Sequence, residues 1–193
     1  MARINGTSGA DNRHGTAGAD HFEMYEGADS ANGWAGADYM DGGAGADTLQ
    51  GADGADTLYG NLGDDEVRGG DGRDVLVGGP GFDKMWGGAG ADSFQFNKAY
   101  GFGDSDAVMD FQRGVDVIDL RGIDANWNAA GDQAYRWIGT ADFSGRAGEL
   151  RVAPAGGGYD MVSVAGDNDG DGQLDFSILV QGVYNLGAGD FLF

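Results

Sequence analysis

Aspartate recurs at every ninth residue through the first half of the chain, at Asp11, Asp20, Asp29, Asp38, Asp47, Asp56, Asp65, Asp74, Asp83 and Asp92. Carboxylates at fixed spacing have two chemistries open to them. A close pair can divide one proton and act as acid and base, whereas a ladder of equivalent groups can hold a row of cations. Ten equivalent positions point to the ladder. Other chemistry-bearing residues are sparse. With no cysteine, a disulfide scaffold, a thiolate zinc site and a cysteine nucleophile are excluded. The two histidines, His14 and His21, lie seven apart and read as exposed strand residues. No HExxH and no GxSxG occurs, so zinc-protease and nucleophile-elbow chemistry have no residues to work with. A Ser-His-Asp triad is not expected either.

The elements that must position these carboxylates follow from the same period. Cut in nines from Gly6, the chain reads GTSGADNRH, GTAGADHFE, MYEGADSAN, GWAGADYMD, GGAGADTLQ, GADGADTLY, GNLGDDEVR, GGDGRDVLV, GGPGFDKMW and GGAGADSFQ, ending at Gln95. The fourth place is Gly and the sixth Asp in all ten units, and the first is Gly in all but one, Met24. The eighth place is large and apolar in eight units, with Arg13 and Ala31 the exceptions. Polar–apolar–polar over places seven to nine is a three-residue strand with one side chain turned inward. The six residues before it form a turn whose glycines permit positive φ and close backbone approach. Two strands and two turns per 18 residues give a flattened parallel solenoid, all-β, with two sheets around a thin core.

Residues 18 apart then share an edge. Asp11, Asp29, Asp47, Asp65 and Asp83 stack on one, and Asp20, Asp38, Asp56, Asp74 and Asp92 on the other. Turn carbonyls around Gly42, Gly45, Gly51, Gly54, Gly60, Gly63, Gly69, Gly72, Gly78, Gly81, Gly87 and Gly90 would add further oxygens. A donor set of carboxylates and flexible carbonyls suits Ca2+ better than octahedral Mg2+. Five turns per edge leave at most eight sites, and the irregular first and third units predict fewer. Asp53, Asp64 and Asp71 within turns read either as added ligands or as solvated side chains. Charge supports the cation reading. Acids outnumber bases 32 to 11 over the chain, a net −21, and 17 to 4 over residues 6–95. Such a chain repels nucleic acid and anionic lipid, and its rows of acids repel one another unless something positive lies between them.

After Phe96 the period stops. The last 98 residues hold 13 of the 21 aromatics, with strand-like runs at Val115–Leu120, Tyr135–Ile138, Glu149–Val152, Met161–Val164 and Phe176–Val180. An aromatic, mostly β segment over residues 97–193 would cap a roll over 1–96. No run of 18 apolar residues occurs, so no membrane span is predicted, and MARINGTSGADN has no apolar core for a cleaved secretory signal. Asp106 and Asp110 follow the last unit and are candidates to complete its site. Asp167, Asp169, Asp171 and Asp175 occupy places 1, 3, 5 and 9 of an EF-hand-like loop with Gly172 at 6, but Ile178 stands where the bidentate Glu would be. A calcium site and a solvated turn are both open there. Arg146, Glu149 and Arg151 read as a surface ion pair in the cap.

The ten units resemble the G-G-x-G-x-D-x-U-x nonapeptides of the RTX family, which implies a parallel β-roll with calcium ions between stacked turns. The stretches DAVMDF (106–111), GVDVIDLRGID (114–124), FSGRAGELR (143–151) and GDNDGDGQLDFSI (166–178) resemble the carboxy-terminal module of serralysin-type secreted metalloproteases. That resemblance implies a secreted, extracellular, calcium-binding and non-catalytic module that folds on external calcium. It implies a partner in the type I secretion apparatus, which reads the uncleaved ending Asp190-Phe191-Leu192-Phe193; export then depends on residues 190–193 while folding does not. The chain would be a monomer, either a complete small exoprotein or the tail of a secreted metalloprotease, lipase or epimerase. The alternative is an extracellular polysaccharide- or cell-surface-binding module, with Tyr25, Trp34, Tyr59 and Trp86 as its aromatic platform.

Overall fold

In a computed structural model, which describes residues 1–97, 105–155 and 160–193, the chain forms two facing sheets. One has eight strands in spatial order β1 (Arg3–Asn5), β3 (His21–Glu23), β5 (Tyr39–Ala44), β7 (Thr57–Leu62), β9 (Val75–Val77), β11 (Ser93–Asn97), β13 (Val117–Gly122) and β18 (Phe191–Leu192). The other has ten. From the amino-terminal end they run β2 (Asn12–His14), β4 (Ser30–Asn32), β6 (Thr48–Gly54), β8 (Glu66–Gly72), β10 (Lys84–Gly90), β12 (Ala107–Val108), β17 (Phe176–Gln181), β16 (Met161–Asp167), β15 (Glu149–Pro154) and β14 (Arg136–Gly139). Among the described residues there is no α-helix, only a 3-10 turn at Ala188–Asp190, and no helix long and apolar enough to cross a membrane.

Neighbouring strands of the repeat pair in parallel with an 18-residue step: Arg3 opposite His21, His21 opposite Tyr39, Thr48 opposite Glu66. Each strand turns its eighth-place side chain inward. Phe22, Met40, Leu58, Leu76 and Phe94 of one sheet and Leu49, Val67 and Met85 of the other are fully buried in one core. Central strands run to six or seven residues rather than three, because turn residues join the ladder: Gly88 pairs with Gly70, and Gly70 with Ala52. The roll also starts earlier than the repeat. β1 adds a half-coil whose Ile4 packs on the core, with Ala2 at the place of the aspartate.

At the other end both sheets continue past the last unit. β12 pairs with β10 at a step of 23 residues and β13 with β11 at 24, against 18 within the repeat. β17 then extends one sheet in parallel through β12, and β18 the other through β13. β15, β16 and β17 form an antiparallel meander that continues the same sheet beyond β12. The ending is part of the fold. Phe191 is buried and stacks with Phe193, and Asp190 pairs with Arg113 at 3.1 Å. Removing residues 190–193 would open the core, contrary to the expectation that folding would be spared.

Candidate metal centre

Each repeat aspartate after Asp11 closes its turn onto the coil before it. The backbone N–H of one aspartate donates to Oδ1 of the aspartate 18 residues later, at 2.7–2.9 Å, along Asp11–Asp29–Asp47–Asp65–Asp83 and Asp20–Asp38–Asp56–Asp74–Asp92. The two edges inferred from the nine-residue period are thus real rows. Both extend into the cap at 3.1 Å, through Asp83 N–H to Asp106 and Asp92 N–H to Asp116. Asp116 did not stand out in the sequence. The triplets Asp106-Ala107-Val108 and Asp116-Val117-Ile118 keep the Asp-x-apolar signature that would have found it. Asp110 lies beside the ladder and accepts the N–H groups of Gly87 and Gly88 at 2.8 and 3.0 Å.

The second carboxylate oxygen carries the chemistry. Oδ2 of Asp29, Asp38, Asp47, Asp56, Asp65, Asp74 and Asp92 is buried without a hydrogen-bond partner. Buried polar atoms are nearly always satisfied, so a row of orphaned anionic oxygens marks positions where a cation belongs. Burial pushes the carboxyls of Asp47, Asp65 and Asp74 up to about 7 and that of Asp38 to about 6. The N–H of the preceding aspartate opposes this, and neighbouring carboxylates reinforce it. Burial raises Asp56 and Asp92 as well.

The glycines open the space around that oxygen. A Cβ on Gly33, Gly42, Gly51, Gly60 or Gly69 would meet two oxygens at once, Oδ2 of its own unit's aspartate and the carbonyl of the glycine 18 residues on. Asp47 thus shares its cradle with the Gly60 carbonyl, Asp65 with that of Gly78 and Asp74 with that of Gly87. Gly78 and Gly87 border Oδ2 of Asp83 and Asp92 in the same way. At the fourth place the carbonyls of Gly45, Gly54, Gly63 and Gly72 press against Gly63, Gly72, Gly81 and Gly90 of the next coil, where no Cβ fits. Hard oxygens and net negative charge, bordered by glycines that carry only hydrogen where a Cβ would crowd those oxygens, fit a calcium ion.

Turn conformation keeps Oδ2 unpaired. In the eight turns from Met24 onward, the second place has positive φ even where it is Tyr25 (73°), Trp34 (74°), Ala52 (78°) or Asn61 (71°). For non-glycine residues that conformation is unfavourable by about 1–2 kcal/mol. It aims the second-place N–H elsewhere: Trp34 to Asn32 Oδ1, Asn61 to the Gly78 carbonyl, Gly88 to Asp110. The first two turns differ. Asp11 Oδ2 accepts from the N–H and hydroxyl of Thr7 at 2.6 and 2.8 Å, and Asp20 Oδ2 from those of Thr16 at the same distances. Asp20 Oδ1 accepts from the Ala2 N–H. These donors hold both carboxyls below their ordinary range: for Asp11 chiefly the Thr7 hydroxyl, for Asp20 chiefly the Ala2 N–H and then Thr16.

Charged groups also come together in residues 105–193. Asp167, Asp169 and Asp175 each bring one oxygen within 4.8 Å of the others, without Asp171. Their acceptors are largely taken by the loop itself, Asp167 by the N–H groups of Gly170 and Gly172 and Asp175 by those of Asn168 and Asp169. Glu149 is buried against Arg136 and Ser144, while Arg151 pairs with Asp142 instead. The aromatic set does not form one surface. Tyr59 packs on Tyr39, which stacks on His21; Arg68 covers Trp86; Tyr25 and Trp34 belong to successive turns on opposite edges.

Comparison with known proteins matches this geometry to a family over the repeat. RTX calcium-binding nonapeptide repeats match in four copies, at residues 5–40, 14–49, 41–76 and 68–97. No curated protein matches the chain. Among solved structures, the AlgE6R3 subunit of the Azotobacter vinelandii mannuronan C5-epimerase in solution is similar at 22% identity, covering 97% of this chain and 80% of that one, with a TM-score of 0.38. Residues 5–97 are an array of RTX calcium-binding nonapeptide repeats, folded as a parallel β-roll with an aspartate ladder along each edge.

Proposed function

We propose that this chain is a non-catalytic, calcium-dependent folding module of a secreted exoprotein. The observation that carries the reading is the pair of rows of buried Oδ2 atoms left without partners. Asp29, Asp38, Asp47, Asp56, Asp65, Asp74, Asp83 and Asp92 hold the ions, with carbonyls of first-place glycines completing the cradles. Calcium supplies positive charge and flexible oxygen coordination between the coils. The residues do the rest: the aspartates tie coil to coil through Oδ1, and the inward apolar row stacks only when the turns close. At low calcium, anionic rows in a thin core disfavour the roll, and the chain stays open. Millimolar external calcium binds the folded form alone and drives folding by linkage.

RTX repeats are typical of type I secreted bacterial exoproteins. In this reading residues 97–193 form a serralysin-type cap, and the terminal segment that completes β18 is also what the export apparatus recognises before folding. Far-UV circular dichroism with hydrodynamic radius, in chelator and across a calcium titration to about 10 mM, tests the proposal. A cooperative change from expanded coil to compact β supports it. A chain already compact and β-rich in chelator overturns it.

One observation favours a second reading, a calcium-stabilised module that binds an extracellular polysaccharide. Trp34 is 60% exposed on a turn whose conformation disfavours a bulky residue. Saturable glycan binding that vanishes in Trp34→Ala while the calcium-bound fold survives would establish that role.

A further inference from the structure

The first turn on each edge departs from all eight that follow. We infer that Thr7 and Thr16 stand in for the cation there, so that the amino-terminal coil closes without calcium and the ion ladders begin at Asp29 and Asp38. This rests on the calcium reading proposed above and sets its limit within the repeat.

Three observations carry the inference. The first is hydrogen bonding. In the Asp11 and Asp20 turns Oδ2 takes two protein donors, an N–H at 2.6 Å and a hydroxyl at 2.8 Å, both from the second-place threonine. An ion at the same oxygen would have to displace both hydrogens, which point their positive ends at the atom it needs. The second is backbone conformation. Thr7, Thr16, Gly9 and Gly18 all lie outside the left-handed region, whereas the second and fourth places of the eight later turns all have positive φ. The third is crowding. A Cβ on Gly9 or Gly18 meets nothing within 4 Å, whereas one on any fourth-place glycine from Gly27 to Gly90 would strike backbone of the coil before.

The turn's own residues supply the reason. The Gly33 carbonyl of the next coil lies beside Asp20 Oδ2 as in the later cradles, so the threonine donors, not a missing carbonyl, set this turn apart. Threonine supplies donors from within the turn and leaves a preformed surface for the first calcium-dependent turn, in which Gly27 rests on Gly9 and Gly36 on Gly18.

The test counts bound calcium on the full chain by equilibrium dialysis, with circular dichroism confirming the folded roll at saturation. Asp20→Asn should leave the count unchanged, while Asp38→Asn, one coil later on the same edge, should lower it by at least one ion. An equal fall in both variants overturns the inference. Because Asp20→Asn could loosen the coil, a second variant acts without touching an aspartate. Trp34→Thr gives residues 33–38 the sequence GTAGAD, identical to residues 15–20. It should install the threonine clasp and cost one ion; a full count in Trp34→Thr overturns the inference. Failure of the calcium reading itself looks different: wild type binds no calcium, or Asp38→Asn changes nothing.

Discussion

Within the roll Asp65 is a fully enclosed carboxylate. Its Oδ1 accepts the Asp47 N–H at 2.7 Å and its Oδ2 has no partner. The side chain is 1% exposed, and burial, opposed by that N–H and reinforced by Asp83 and Asp64, lifts its pKa from 3.8 to about 7. Keeping it ionised in the fold is therefore unfavourable by on the order of 4 kcal/mol before relaxation, and by about half that once water and the chain adjust. Asp65→Asn removes the charge and keeps the shape. In chelator at pH 8 the variant should be more stable than wild type by about 2 kcal/mol. In saturating calcium the order reverses, because a lost site removes roughly 2.7 kcal/mol of linkage at a hundred times its Kd. The assay is folding driven by trimethylamine N-oxide in chelator, set against urea unfolding in 10 mM calcium, each followed by circular dichroism. Loss of stability by the same amount in both conditions would refute the reasoning, since Asp65 would then be a hydrogen-bonding residue with no part in holding an ion.

Other outcomes follow from the same geometry. Carboxyls raised in the fold stabilise it below their open-chain pKa, and that stability is lost as pH rises through the folded value. Without calcium the roll should therefore gain stability as pH falls from 8 towards 4, whereas calcium affinity should weaken over the same range; parallel urea titrations at several pH values check both signs. Gly72→Ala, at φ 150° and against the Gly54 carbonyl, should destabilise the calcium-bound roll by about 2 kcal/mol or more. Gly18→Ala, which meets nothing, should stay within about 0.5 kcal/mol in the same thermal melts. Phe191→Ala should lower stability by about 3 kcal/mol through the cavity left in the core, measured by urea unfolding in calcium.

Much of this was legible in the residues because the determinants are local and repeated. A nine-residue period with Gly at the fourth place, Asp at the sixth and an apolar residue at the eighth dictates a strand and a turn every half-coil. An 18-residue step then places Asp47 over Asp29 and Asp56 over Asp38. Three later strands were also visible as the runs Glu149–Val152, Met161–Val164 and Phe176–Val180, each shorter than the strand observed, because their composition switches to β-formers between turn residues. Tertiary structure decided what depends on partners distant in sequence. The 24-residue step hides Asp116 from a period of nine although its Asp-x-apolar triplet is in the sequence, and only the fold shows that Phe191 closes the same sheet through Val117–Gly122. Only the fold distinguishes two aspartates already satisfied by Thr7 and Thr16 from those whose Oδ2 is stranded. The spacing of an aspartate is a property of the chain, but whether its second oxygen meets a hydrogen or waits for an ion depends on how the turn bends and on what stacks above it.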